Sequence, residues 1–164
     1  MLNASTIGKV EDSIAGGGEL AVRLALGITF FAHGRHKITD PNAFANFLKQ
    51  LGVPAPQLSA WSVALLETVG AACLMLGIGT RPIASVLAID MAVALAKVRI
   101  PKVPFTSGPE KSGWDSEFML LASALALAFT GGGRFSIDHA LGLASNSGAP
   151  GARLAQSNQR RDCA

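Results

Sequence analysis

Apolar and polar positions along the chain sort into four long greasy runs with charged or Gly/Pro-rich punctuation. They cover about Glu19–Gly34, Leu58–Gly79, Pro82–Val98 and Trp114–Thr130. Alanine and leucine dominate them, which favours helix over strand, and none shows the strict alternation of a half-buried strand. Each run is near the roughly 20 residues that a helix needs to cross a bilayer. Only GIGTRP separates the second run from the third. Gly79 can end one helix there and Pro82 can begin the next, so these two pack antiparallel. The pattern predicts an all-α fold, a four-helix transmembrane bundle with up-down-up-down connectivity.

The connections divide the chain further. Residues 38–57 hold a short amphipathic stretch, NAFANFLKQL, in which Phe44, Phe47, Leu48 and Leu51 share a helical face. Residues 99–113 contain prolines and glycines and read as a loop. A second short helix is expected over Phe135–Leu143. The expected organisation is a polar N-terminal segment at 1–17, the membrane domain at 18–143 and a disordered polar tail at 144–164. Trp61 and Trp114 each open an even-numbered helix, at the depth of an interfacial tryptophan belt.

Composition strengthens the membrane reading. Hydrophobic residues make up 49% and charged residues 15%, against roughly 25% charged in an average soluble domain. A soluble four-helix bundle would show a polar stripe on each helix, and these helices are apolar all round. The net charge of +3 is spread over the ends of apolar runs, so no nucleic-acid surface is expected. The first 19 residues mix charges with glycines and do not read as a cleavable signal. Cys73 and Cys163 form no CxxC, and Cys73 reads as a packing residue.

Charges inside the greasy runs are the candidate chemistry. A charge at mid-membrane costs about 2.5–3.5 kcal/mol and normally faces the bundle interior with a partner. Ala60, Ala64, Glu67, Gly70 and Ala71 share one face, which turns Glu67 towards a neighbouring helix. Arg23, Gly27, Phe30, Gly34 and Lys37 share a face of the first helix, and Val86, Asp90, Ala94 and Lys97 one of the third. The depths predict an interior cluster of Arg23, Glu67 and Asp90. If both carboxyls are buried there, one is pushed up in pKa and the two can share a proton. A second cluster, of His33, Lys37, Lys97 and Glu117, is expected at the long-loop side. His33 and His36 would hold a metal with Glu117 only if a third histidine completed the set, so no metal is expected.

In order and spacing, these residues resemble the DoxX family of small membrane proteins. The resemblance rests on AHGRHK (His33, Gly34, Lys37), FANFLKQLGVPAP, LLETVGA (Glu67, Gly70), GIGTRPIA (Arg81), LAIDMAVA (Asp90), SGWDSEFMLLASALALA (Glu117) and GGGRFSID (Arg134, Ser136, Asp138). It covers about residues 18–141. The departures are an Asp-Ser pair before Glu117 and GGGR where a proline often stands. The resemblance implies structural roles for Gly34, Gly70, Arg81, Arg134 and Asp138. It implies a bacterial inner-membrane location with both termini in the cytoplasm, whereas the basic residues of the long loops favour the opposite orientation. It also implies a redox setting, since relatives include a subunit of a thiosulfate:quinone oxidoreductase and proteins associated with superoxide dismutase and a sulfurtransferase.

Three functions compete at this stage. The chain is a membrane subunit of a redox system, with a quinone or small sulfur compound between its helices and redox or sulfur-transfer proteins as partners. Alternatively it is a non-catalytic scaffold that docks such partners in the lipid bilayer. The third reading is a small transporter, which four helices support only as a homo-oligomer. No haem, flavin or iron–sulfur motif is present in the sequence.

Overall fold

The computed structural model describes residues 4–106 and 113–143, with side chains from Gly16 onward. The described residues form helices and connecting turns, with no strand. The helices are α1 (Ala4–Thr39), α2 (Pro41–Gln50), α3 (Pro56–Leu76), α4 (Thr80–Ala94, continued by a π turn at Leu95–Arg99), α5 (Asp115–Thr130) and α6 (Ile137–Ala140). A second π turn, Leu66–Gly70, interrupts α3. The tail expected at 144–164 lies outside the described residues.

Local chemistry sets the element ends. Asp40 caps α2 by accepting from the Ala43 N–H at 3.0 Å, and Pro41 fills the first helical position, where no N–H is needed. At the other end of α3, Gly77 turns left-handed at φ 75°, and Ile78 N–H reaches back to Cys73 O at 2.9 Å. That is the αL stop that glycine adopts without a Cβ penalty. Gly79 follows at φ 58° and α4 begins, so the expected tight α3–α4 turn is present.

α1 packs along α3, α4 along α5, and α2 lies against α3. The core is made of Leu26 and Phe30 from α1, Ala71 and Leu74 from α3, Ala84, Leu87, Ala88 and Met91 from α4, and Ala124 and Leu127 from α5. Alanines at the contacts let the backbones approach closely. Large apolar side chains also cover the outside: Ile28, Val69, Ile89 and Phe129 are all exposed.

Two expectations change. α1 is one helix from Ala4, well before the apolar run begins; residues 4–18 hold no proline, and the helix runs on through Gly16, Gly17 and Gly18 despite their low helix propensity. Among the described residues only Pro56–Leu76 is by itself long and apolar enough to cross a membrane. α4 carries Arg81, Asp90, Lys97 and Arg99 within its length, and α5 is only 16 residues long.

Candidate functional site

Glu67 occupies the π turn of α3, where the extra residue per turn displaces the backbone from the regular ladder. Such turns are frequent at functional sites. Its side chain is 2% exposed and accepts from Lys37 Nζ at 2.6 Å. Gly34, one turn before Lys37, makes that approach possible. A Cβ at Gly34 would lie 2.7 Å from the Glu67 carbonyl carbon. Asp90 of α4 comes within hydrogen-bonding reach of Glu67 and feels the Lys37 charge as well. The geometry still leaves Glu67 Oε2 buried without a well-oriented partner. Lys37 also lies over the Phe44 ring of α2, 4.8 Å from its centroid, in cation–π contact. Four elements thus meet at one ammonium and two carboxyls. Glu67 is the buried member, whereas Lys37, with 25% of its side chain exposed, and Asp90 are each partly exposed.

Arg23 does not join this cluster, which corrects the expected Arg23–Glu67–Asp90 network. It is buried at the opposite end, where its guanidinium donates to the backbone carbonyls of Gly132, Met75 and Phe135. The reason is axial distance. Arg23 and Lys37 share a stripe of α1, but fourteen residues of helix separate them by roughly 21 Å. Arg23 therefore reaches the α3–α4 turn while Lys37 reaches Glu67.

The GGGRFSID segment folds over that end. Asp138 accepts from the N–H groups of Gly79 and Thr80 at 2.8 and 2.9 Å, capping α4 from across the fold. Burial pushes the Asp138 carboxyl up, but these N–H donors, the Thr80 side chain and the Arg23 charge outweigh it and hold the group below the usual range. Ser136 caps α6 through the His139 N–H. Arg81 reaches the Thr130 carbonyl at the end of α5, Arg134 is exposed, and Gly70 closes the π turn beside Leu66 and Ile83.

The four residues expected to meet at the long-loop side are not brought together. Lys37 turns inward to Glu67, while His33 and Lys97 are exposed. Glu117 pairs with Arg99 at 2.5 Å, and Arg99 also donates to Gly113 O at 3.3 Å. Beside this pair, Phe105, Trp114 and Phe118 meet edge to face, with the Phe105 and Trp114 centroids 4.4 Å apart. Among the described residues, no three His, Cys, Asp or Glu side chains converge as metal ligands.

Phe44 and Arg99 are the participants that sequence reasoning missed. Phe44 lay on the recognised apolar face of NAFANFLKQL, and only the fold shows that the face covers an ammonium. Arg99 lies at the end of a π turn, which no periodicity argument foresees.

The chain has curated relatives along most of its length. It is 28% identical over 121 residues to "Putative oxidoreductase CatD" of Bacillus subtilis, covering 74% of this chain and 84% of the relative. It is 29% identical over 122 residues to "Inner membrane protein YphA" of Escherichia coli, covering 73% and 86%. A third relative, a membrane protein of Mycobacterium tuberculosis, is 29% identical over 131 residues, covering 74% and 80%. No solved structure matches the chain. The family model DoxX matches residues 18–99, the part that holds Gly34, Lys37, Glu67 and Asp90, and the chain belongs to the DoxX family.

Proposed function

We propose that this protein is an integral membrane subunit of a redox system, in which the Lys37–Glu67–Asp90 cluster takes up and releases a proton. In this reading α1, α3, α4 and α5 form an up-down-up-down bundle in the bacterial inner membrane with both termini in the cytoplasm. The exposed apolar collar and the relative named as an inner membrane protein support the membrane setting.

The carrying observation is the 2.6 Å Lys37–Glu67 pair, in which Glu67 is buried, with a second carboxyl beside it. A charge left unpaired in hydrocarbon costs several kcal/mol. One ammonium, one carboxylate and one neutral carboxyl sum to zero, so the site is most stable with a single proton held between Glu67 and Asp90. The redox side rests on the CatD relative, whose printed name carries an oxidoreductase. A quinone fits these groups chemically. Lys37 can donate to a quinone oxygen, and the carboxyl pair, with Glu67 Oε2 lacking a well-oriented partner, can supply a proton. The quinone itself would supply the electron-accepting chemistry.

The test is Glu67→Gln in the native membrane. The variant should accumulate in the membrane at the wild-type level, while quinone-linked electron transfer through the complex that copurifies with it falls to background. Mass spectrometry of the gently purified wild-type protein should show a stoichiometric quinone or a copurifying redox or sulfur-transfer enzyme. The direct α1–α3 salt bridge also favours a second reading, in which the cluster is only a clamp within a scaffold. Full electron transfer by Glu67→Gln would establish that reading.

A further inference from the structure

Resting on the proton-exchanging cluster above, we infer that α2 forms the port through which that cluster meets water, with Lys37 as the relay and Phe44 as the residue that positions and shields it. Three observations converge. Exposure is graded: the Glu67 side chain is 2% exposed and that of Lys37 is 25% exposed, so the ammonium carries Glu67 towards the surface at the α2 end, while Asp90 is partly exposed on α4. Phe44 sits against that ammonium at 4.8 Å, so part of its outward side is covered by a ring. The opposite route is closed. Between Glu67 and the α6 end lie Phe30, Leu26, Ala71 and Leu74, each at most 2% exposed, and beyond them Arg23 is held by its three carbonyls.

α2 is anchored for this task. Asp40 caps it directly after α1, and Gln57 Nε2 of α3 donates to Asn42 Oδ1 at 3.1 Å. The ring therefore keeps its place over Lys37. The charged groups facing the cluster are Lys37 from α1, Glu67 from α3 and Asp90 from α4. α2 presents the Phe44 ring, and Glu117 of α5 is engaged by Arg99. His33, Arg35 and His36 of α1 are exposed, away from the buried carboxyls.

The transfer is a pair of proton hops. An N–H bond of the Lys37 ammonium breaks as an O–H bond forms on the ionised carboxylate, leaving a neutral amine. An O–H bond of hydronium at the α2 end then breaks as the amine nitrogen takes the proton, and water is left behind. Release runs in reverse. No electron moves and no other reactant is consumed.

The experiment is infrared spectroscopy of the full chain in proteoliposomes, following the protonated-carboxyl band that Glu67→Gln alters as water is exchanged for heavy water. Phe44→Leu keeps the apolar volume and removes the ring. It should speed exchange roughly two- to thirtyfold, the range that loss of a cation–π contact supports. Lys37→Met should slow exchange by more than about tenfold, as expected when a positioned proton-transfer group is removed. Phe135→Leu, an exposed ring at the α6 end, should leave the rate unchanged. An unchanged rate in Phe44→Leu, or wild-type speed in Lys37→Met, overturns the port while the cluster stands. Acceleration by Phe135→Leu likewise moves the port to the other end. Absence of the band from the wild type removes the protonated pair itself, and the proposed function with it.

Discussion

Replacing Gly34 by alanine tests the close α1–α3 contact on which the cluster depends. The added Cβ would fall 2.7 Å from the Glu67 carbonyl carbon and 2.8 Å from Glu67 Cβ and Thr68 Cγ2, where ordinary contact begins at 3.4 Å. The obstructing atoms include backbone, so the helices must part by about 0.7 Å, enough to forfeit much of the dispersion attraction at the contact. Overpacking of this kind costs about 1–3 kcal/mol. Alanine also gains about 1 kcal/mol of helix propensity over glycine, which would mask the effect. Gly17→Ala supplies the control, because Gly17 lies in the same helix with nothing within 4 Å of its added Cβ. The difference between the two variants isolates the clash. At roughly 2–4 °C per kcal/mol for a chain of this size, Gly34→Ala should melt about 2–12 °C below Gly17→Ala. Thermal unfolding in detergent, followed by far-ultraviolet circular dichroism, measures it. Equal melting temperatures would refute the argument that backbone approach at Gly34 seats Lys37 on Glu67.

Other outcomes follow from the α6 end. Asp138→Ala should cost about 1–2 kcal/mol, the value of a lost N-terminal cap, read as a lower melting temperature at neutral pH. The folded-state pKa of Asp138 is depressed, so its contribution is fully present above the unfolded value of about 3.9 and is lost as pH falls through the folded value. The melting difference from wild type should shrink on acidification, and a pH-independent difference would contradict the assignment. Arg23→Met leaves one buried and two part-buried carbonyls without their donor and should destabilise by about 1–3 kcal/mol. Arg23→Lys should recover only part of this, since one ammonium cannot reproduce the guanidinium fork, and full recovery would point to charge alone. For Arg99 and Glu117, both partly exposed, a double-mutant cycle should give a coupling of only about 0.2–1 kcal/mol, weakened by salt.

The helical class, the tight α3–α4 turn, α2 and the inward face of Glu67 were all legible in the sequence. Each is set by local signals: alanine and leucine content, Gly79 and Pro82, the period of NAFANFLKQL, and small residues flanking an acid. What escaped was depth. The stripe holding Arg23, Gly27, Phe30, Gly34 and Lys37 was identified correctly, but a stripe has two ends, and hydropathy alone placed Arg23 beside Glu67. Lys37 was expected beside His33, Lys97 and Glu117 at the long-loop side, yet Gly34 brings α1 close enough to turn it inward to Glu67. The π turns at Leu66–Gly70 and Leu95–Arg99 follow from tertiary fit and leave no periodic trace.

The Arg23 contacts also carry a consequence for biosynthesis. Arg23 emerges early from the ribosome, while its acceptors Gly132 and Phe135 lie 109 and 112 residues further along the chain. At roughly 5–20 residues per second, the guanidinium waits on the order of 5–20 s before those carbonyls exist. During that interval the Arg23 cation of α1 has only Glu19 one turn away and, once α3 is made, the Met75 carbonyl. The final motif thus acts as a late latch, and truncation before residue 132 should leave α1 poorly retained even though every helix of the cluster has been made.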